Sequence, residues 1–221
     1  MNRPEKIILT EEELQKAFGE IDSYFIDLNP LKYSPDLFTG YDRVIVTGPH
    51  RSGTTFTAKA LASSLGFRFV DETEFGVNKF DLFKSKLKET NIVVQAPSMS
   101  SRIHMAAGKN DLVVFMSRKW SDIIKSVFKK NGKLSNWIYQ DTMYEVEKYH
   151  IQQVDPNIDS VYDNIVDKDS YYLNCFYSLW RDYISKNISN CFALDYESMK
   201  QHPLWVEKEN RKRFHYKQTS L

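Results

Sequence analysis

The sequence predicts an α/β fold in which a central, mostly parallel sheet is flanked by helices. Short, continuous apolar runs recur along the chain, and each is bounded by turn-forming residues. Runs of this kind are typical of parallel strands that are covered on both faces. Helical stretches separate the runs, which is the alternation that builds a doubly wound sheet. A mostly helical second half, rich in aromatic residues over 135–187, completes the predicted architecture.

The elements can be assigned in order along the chain. A capping-box pattern at Thr10 opens a predicted helix over 10–24, and an irregular segment over 28–42 follows it. The predicted strands are Arg43–Thr47, Phe67–Val70, Asn91–Gln95, Leu112–Met116 and Cys191–Asp195. The predicted helical stretches between them are Thr54–Leu65, Asn78–Glu89, Ser101–Ala107 and Ser121–Lys130.

Length and composition bound the organisation of the chain. The 221 residues are enough for one globular domain, and 42% hydrophobic with 27% charged residues is the ordinary balance of such a domain. We therefore expect a single domain over 1–221, with its core over 43–203. The N-terminal helix and the irregular segment occupy 1–42, and a basic tail occupies 207–221.

Charge and cysteine content argue against several kinds of partner. The formal net charge of +1 gives no global electrostatic attraction to nucleic acid. No run approaches the roughly 18 to 20 apolar residues of a membrane span. The two cysteines, Cys175 and Cys191, form no metal-binding spacing and no disulfide framework. The cysteine spacing therefore predicts no bound metal. The N-terminus lacks the apolar stretch of a signal peptide, so we expect a cytoplasmic protein.

A glycine-containing loop between the first predicted strand and its helix is the sharpest local signal. It runs from Gly48 to Gly53, in a context where backbone N–H groups and a helix N-terminus can hold phosphate oxygens. The two glycines have the spacing of a nucleoside-triphosphate P-loop, but Thr54 stands where that loop has its lysine. The cation of this loop is Arg51 instead, and Thr54 and Thr55 add hydroxyl donors. The missing lysine weakens an ATPase or kinase interpretation.

The segment from Arg51 to Thr55 resembles the 5′-phosphosulfate-binding loop of sulfotransferases that use 3′-phosphoadenosine 5′-phosphosulfate (PAPS). The resemblance implies a P-loop-like sulfotransferase fold. It assigns five loop residues to the phosphosulfate: Arg51, Ser52, Gly53, Thr54 and Thr55. Phe56 lies where cytosolic members of this family usually have a tryptophan beside the adenine. From the residue pattern alone, Phe56 could equally be a core residue of the first helix.

A second match to the same family follows the predicted strand Leu112–Met116. These sulfotransferases hold the 3′-phosphate of the cofactor with an arginine at the end of a strand and a serine eight residues later. Arg118 and Ser126 fill those places here, and an arginine is suited to bidentate contact with a phosphate. Tyr196 lies in a segment similar to one that follows the family's last core strand, which implies a place near the nucleotide; the alternative is a core tyrosine beneath a turn. The basic cluster 211–213 lacks the glycine of the family's C-terminal phosphate clamp.

Sulfuryl transfer, the reaction of this family, needs a base near the acceptor. It also needs a cation near the negative charge that develops on the transferred and leaving oxygens. Arg51 is suited to the second role. Cytosolic members of the family commonly use a histidine as base, but Gln95 stands at that place and cannot take a proton. The tyrosylprotein and heparan sulfotransferase branch uses a glutamate after the second strand, and the similarity of spacing implies Glu72 as the base. Glu74 and Asp71 are the substitutes, and a solvated acidic turn is the alternative for all three.

The leading hypothesis is a sulfotransferase that moves a sulfuryl group from PAPS to a hydroxyl or amine of an unidentified acceptor. Its nucleotide product would be 3′-phosphoadenosine 5′-phosphate (PAP), and the reaction requires no metal. One alternative is a P-loop nucleotide or small-molecule kinase, in which Asp71 would ligate Mg²⁺. Another is a non-catalytic nucleotide-binding module. The helical stretch over 135–187 can also carry a homodimer interface.

Overall fold

A computed structural model describes residues 25–77, 79–131, 173 and 176–206 of the chain. Five strands form one sheet in the order β2-β3-β1-β4-β5, and each neighbouring pair runs parallel. The strands are β1 (Arg43–Thr47), β2 (Arg68–Val70), β3 (Ile92–Gln95), β4 (Asp111–Ser117) and β5 (Cys191–Asp195). Because all five point the same way, their carboxyl ends meet at one edge of the sheet.

Helices connect these strands, and the central strand β1 leads through a glycine-containing loop into the first of them. The α-helices are α1 (Thr54–Leu65), α2 (Glu72–Phe75), α3 (Phe80–Lys86) and α4 (Trp120–Asn131). A π-helical turn over Trp180–Ile184 precedes β5. The short 3-10 turns are Pro35–Phe38, Pro97–Met99, Ile103–Met105, Ser185–Asn187 and Glu197–Gln201. The chain therefore has the predicted α/β fold, of the P-loop-like kind.

Apolar side chains cover both faces of the sheet. Along β1, Ile45 belongs to one hydrophobic cluster, whereas Val44 and Val46 belong to the other. The first cluster includes the large aromatic side chains of Trp120 and Tyr177, and the second includes the inner face of α1. Burial on both faces explains why the strands appear in the sequence as continuous apolar runs rather than as an alternating pattern.

The predicted element bounds agree closely with the structure. Arg43–Thr47, Cys191–Asp195 and the helix Thr54–Leu65 have the predicted bounds. The other three strands and the helices predicted over Asn78–Glu89 and Ser121–Lys130 differ by one to three residues at their ends. One addition lies in the segment that was expected to be irregular. There, Leu31 forms a parallel bridge with Leu194, so this segment extends the sheet beside β5.

The predicted short helix over Ser101–Ala107 is present only as a 3-10 turn, Ile103–Met105, and not as an α-helix. A second 3-10 turn, Pro97–Met99, precedes it. Directly before the predicted helix, Ser100 Oγ donates to the Pro97 carbonyl oxygen at 2.7 Å. Local bonds of that kind compete with the hydrogen-bond ladder of a helix.

Several predicted features lie outside the described residues: the helix over 10–24, most of the stretch over 135–187, and the basic cluster 211–213. Within the described part of the chain, no helix is long and apolar enough to cross a membrane. The same residues contain no group of three or more His, Cys, Asp or Glu side chains that could hold a metal ion.

Candidate functional site

The loop between β1 and α1 has an unusual backbone. Three of its residues have positive φ angles: Gly48 at 127°, Arg51 at 72° and Gly53 at 103°. Backbone turns of this kind can point N–H groups into one concavity, which suits an anion. A Cβ atom at Gly48 would lie 3.0 Å from the backbone N and O atoms of Met116 on β4, so the close approach requires glycine. The loop therefore packs directly against the carboxyl end of β4.

The start of α1 adds a helix N-terminus beside this loop. The first hydrogen bond within the helix runs from the Thr57 N–H to the Gly53 carbonyl oxygen at 3.1 Å. The amides that precede Thr57 therefore have no partner inside the helix and point toward the loop. The partial positive charge of a helix N-terminus favours an anion at this place.

Ser52, predicted to contact the phosphosulfate, is tied to the loop itself. Its N–H and its Oγ both donate to the Pro49 carbonyl oxygen, at 3.1 Å and 2.6 Å. Thr54 is buried, and Thr55 is exposed at the start of the helix. Ser52 thus shapes the loop, and the contacts of all three residues with a nucleotide stay predictions.

Arg51, Arg118 and Ser126 come together from three separate elements. Arg51 Nε donates to Ser126 Oγ of α4 at 3.2 Å, and Arg118 Nη1 donates to the Arg51 carbonyl oxygen at 3.1 Å. Burial and the neighbouring positive charge of Arg118 lower the pKa of Arg51. Among the described residues, neither guanidinium has a carboxylate partner. In that part of the molecule the site is a concentrated positive charge without a counter-charge.

Arg118 is held in place from two sides. The Tyr177 hydroxyl accepts from the Arg118 N–H at 3.1 Å and donates to the Arg118 carbonyl oxygen at 3.0 Å. The guanidinium carbon lies 4.5 Å from the centre of the Tyr196 ring, which is a cation–π contact. Nε of Arg118 is buried and has no hydrogen-bond partner within the described residues. Tyr177 is thus a positioning residue that the sequence did not reveal, because an aromatic residue at helical spacing is typical of core.

Tyr196 covers the end of the loop. A Cβ atom at Gly53 would lie 2.2 Å from two carbons of the Tyr196 ring. The centre of this ring is 5.8 Å from that of Trp205, which lies 4.9 Å from that of Phe56. Tyr196 and Phe56 are both buried in the hydrophobic cluster behind α1, so the core role that the sequence left open for each is observed. Contact with an adenine stays a prediction, and Trp205 is a neighbour that the sequence did not reveal.

Glu72 is the acidic side chain that the structure buries at this edge of the sheet. It is the first residue of α2, directly after β2, and its exposed fraction is 6%. Its Oε1 accepts from the Ser98 N–H at 2.7 Å. Burial raises the pKa of Glu72, and the hydrogen bonds from Ser98 oppose this effect. A raised pKa brings a carboxylate closer to the range in which a base works near neutral pH.

Asp71 and Glu74, the predicted substitutes for Glu72, form a capping box at the start of α2. Asp71 Oδ1 accepts from the Thr73 N–H at 3.0 Å, and Glu74 Oε1 accepts from the Asp71 N–H at 3.1 Å. Glu74 also forms an ion pair with Arg68 at 2.9 Å. These bonds give both side chains a structural role, and of the three acids Glu72 is the one turned away from the cap into a buried position.

Comparison with known proteins shows likeness of structure alone. No family model matches the chain, and no curated protein sequence matches it. The YorR protein of Bacillus subtilis, solved in complex with phosphorylated GDP, is 13% identical with a TM-score of 0.44; the match covers 78% of this chain and 99% of that one. Shikimate kinase from Acinetobacter baumannii, solved with shikimate, is 13% identical with a TM-score of 0.35, over 66% and 97% of the two chains. The strand order and the glycine-containing loop after the central strand show a P-loop-like α/β fold.

Proposed function

We propose that the chain is a sulfotransferase that uses PAPS as its donor. The observation that supports this proposal is the meeting of Arg51, Arg118 and Ser126 beside the loop. Among the described residues, no carboxylate neutralises either arginine. A nucleotide with a phosphosulfate at one end and a second phosphate at the ribose would supply negative charge to both.

The energetics of the site favour this kind of ligand. Folding brings two guanidinium groups together in a partly dehydrated place, which raises the free energy of the unliganded protein. An arginine offers a planar fork of donors that matches the oxygens of a phosphate. Arg118 has a buried Nε without a partner in the described part of the chain, so it retains a donor for a ligand. The positive charges of Arg51 and Arg118 therefore favour the binding of an anion, whereas they do not stabilise the unliganded fold.

The transfer would proceed as an in-line displacement at sulfur. Glu72 takes the proton of the acceptor hydroxyl or amine while the acceptor atom forms its bond to sulfur. The bond between sulfur and the bridging oxygen of the 5′-phosphate breaks, and PAP leaves with the electron pair of that bond. Arg51, in the loop, stabilises the negative charge that develops on the leaving phosphate.

A P-loop nucleotide or small-molecule kinase is the second candidate. The spacing of Gly48 and Gly53, between a central parallel strand and a helix, is the spacing of a nucleoside-triphosphate loop. Against it, Thr54 stands in place of the lysine, so Arg51 would have to neutralise the phosphates. Asp71, the residue available for Mg²⁺, is engaged in capping α2.

Ligand-induced thermal stabilisation separates the candidates. We expect PAP without Mg²⁺ to stabilise the protein by about 2.7 kcal/mol at a concentration 100-fold above its Kd. ATP with Mg²⁺ should have little effect; stabilisation by ATP with Mg²⁺ alone would assign the kinase instead. Binding of PAP with no transfer from labelled PAPS to any acceptor pool would indicate a non-catalytic module.

The assignment of Arg118 to the 3′-phosphate has its own test. Arg118→Met should weaken binding of PAP far more than binding of adenosine 5′-phosphosulfate, which has no 3′-phosphate. Arg181→Met is the matched control, because Arg181 is exposed and pairs with Asp182 at 2.7 Å. Equal losses for the two nucleotides would contradict the assignment.

The role of Glu72 as base is tested by turnover. Glu72→Gln should lower kcat by about 100-fold or more, the usual contribution of a general base, with the Kd for PAP nearly unchanged. Glu74→Gln is the control, because Glu74 belongs to the capping box. Unchanged turnover in Glu72→Gln would rule out this role.

A further inference from the structure

Directly after β3, the chain makes a tight turn over residues 97–100. This turn contacts the proposed base, Glu72, on one side and the loop between β1 and α1 on the other. On one side, Ser98 donates its N–H to Glu72 Oε1 at 2.7 Å. Both residues are buried, with exposed fractions of 2% for Ser98 and 6% for Glu72. The carboxylate that follows β2 is therefore fixed by a group that follows the neighbouring strand.

On its other side, the 97–100 turn contacts the phosphate loop. Ser100 Oγ lies 2.5 Å from Thr47 Oγ1, at the end of β1, and accepts from the Gly48 N–H at 3.2 Å. The same Oγ donates to the Pro97 carbonyl oxygen at 2.7 Å, which closes the turn on itself. Two serines, two positions apart, thus contact different parts of the site.

We infer that Ser98 is a positioning residue for Glu72 and that Ser100 is a positioning residue for the phosphate loop. One short turn then sets the distance between the base and the bound donor. The inference rests on the proposed function, because it takes Glu72 as the group that accepts the proton. It assigns the two serines to the placement of the base and of the loop, and not to the making or breaking of bonds.

The hydrogen bonds of Ser98 act on the charge of Glu72. Burial is the largest influence and raises the pKa of Glu72; the Ser98 hydroxyl and N–H lower it, and the charge of Asp71 at the N-cap raises it. Donors to a carboxylate favour its ionised form. Loss of the Ser98 hydroxyl therefore raises the pKa of Glu72 further, and the base is then ionised only at higher pH.

Ser98→Ala tests the first half of the inference. We expect the acid limb of the kcat–pH profile to move to higher pH, with activity recovering as pH rises and the Kd for PAP unchanged within about twofold. Ser98→Thr keeps a hydroxyl and should restore the profile. A loss of activity that is equal at every pH would overturn the role of Ser98.

Ser100→Ala tests the second half and should do the opposite. The Kd for PAP should rise by about fivefold, the equivalent of one net hydrogen bond, while the acid limb stays in place. Ser101→Ala is the matched control, because Ser101 is buried and its Oγ has no hydrogen-bond partner among the described residues. Changes of both quantities in both variants would mean that the turn is only structural, and the inference would fail.

A measurement without any donor keeps this inference separate from the proposed function. Glutamate labelled with ¹³C at the side-chain carboxyl can be titrated by NMR in the unliganded protein, and Glu72→Gln assigns the signal. Ser98→Ala should raise the pKa of Glu72, and Ser101→Ala should leave it in place. An unchanged pKa in Ser98→Ala overturns the inference even if PAP binds. A raised pKa in a protein that does not bind PAP supports the contact and overturns the proposed function.

Discussion

The two edges of the sheet differ in whether their charged side chains form ion pairs. At the amino edge, where β1 and β4 begin, Arg43 forms an ion pair with Asp111, and the exposed fractions of their side chains are 15% and 2%. At the carboxyl edge, Arg51 and Arg118 lie together without a carboxylate among the described residues, and Glu72 is buried without a cation there. The first arrangement stabilises the fold, whereas the second keeps charge available for a ligand.

The amino edge is also rich in secondary contacts. The second carboxylate oxygen of Asp111 accepts from the Gly108 N–H at 2.7 Å, and Asn190 Nδ2 donates to the Lys109 carbonyl oxygen at 2.6 Å. Asp42 accepts from Asn110 at 3.0 Å beside them. A satisfied polar network of this kind makes the strand starts rigid. We therefore expect substitutions at the two edges to affect different measurements.

Asp111→Ala should have the largest effect on stability, because it leaves the Arg43 guanidinium without its partner. The free energy of unfolding should fall by about 3 kcal/mol, the lower end of what breaking a buried pair costs. Urea denaturation measures the change. The Kd for PAP, measured below the unfolding transition, should stay within about twofold, because the pair lies at the opposite edge from the loop.

Asp182→Ala is the control for this prediction. Asp182 pairs with Arg181 at the surface, where the exposed fractions of the two side chains are 40% and 50%. An exposed pair contributes about 0.5 kcal/mol or less. If both variants lost the same stability, the buried pair at the amino edge would contribute no more to stability than an exposed pair does.

Gly53→Ala should have the next largest effect and shows that packing, rather than ion pairing, holds the carboxyl edge. The new Cβ would meet the Tyr196 ring at 2.2 Å, and the φ angle of 103° is unfavourable for alanine. We expect a loss of about 2 kcal/mol of stability. Gly66 also has a positive φ, of 67°, but a Cβ there would meet nothing within 4 Å, so Gly66→Ala should lose about 1 kcal/mol. Equal losses would show that the ring contact does not matter.

Arg51→Met separates binding from stability at the carboxyl edge. The Kd for PAP should rise by about 30-fold, as expected for a charge-assisted hydrogen bond. The free energy of unfolding should stay within about 1 kcal/mol of the wild type, because the lost bond to Ser126 is offset by relief of the repulsion between Arg51 and Arg118. Calorimetry and urea denaturation measure the two quantities. A large loss of stability with unchanged binding would reverse the comparison between the edges.

The fold could be predicted because its signals are local. Each strand is a continuous apolar run, and the bounds of Arg43–Thr47 and Thr54–Leu65 were correct because strand, turn and helix signals follow one another without a gap. The region after β3 failed for a local reason as well. Ser100 there bonds to the carbonyl oxygen of Pro97, and periodicity does not reveal a local bond of that kind.

The site could be predicted only in part, because its geometry depends on contacts between distant residues. Arg51, Arg118 and Ser126 were named from the sequence, but Tyr177 reaches Arg118 across 59 positions and leaves no local pattern. The family resemblance led to Glu72 among the three acids after β2, but its burial, which separates it from Asp71 and Glu74 in the structure, cannot be obtained from the sequence. One signal was present, however: Asp71 followed three residues later by Glu74 is a capping-box spacing, and it indicates a structural role for both.

Glu72→Gln should have the smallest effect on stability, and the size of this effect depends on pH. Because folding raises the pKa of Glu72 above the unfolded value of about 4.3, the wild type loses stability as pH rises from that value through the folded pKa. Glutamine does not titrate and keeps an oxygen for the Ser98 N–H, so the variant should be the more stable protein at pH 7.5 and should lose this advantage below about pH 4. Glu74→Gln, which loses the ion pair with Arg68, should be less stable than the wild type at pH 7.5. Urea midpoints at constant ionic strength measure both variants. If the difference in stability between Glu72→Gln and the wild type stayed constant across this pH range, the charge on Glu72 would cost no stability in the folded protein. The two edges would then differ less in how they accommodate charge than the structure indicates.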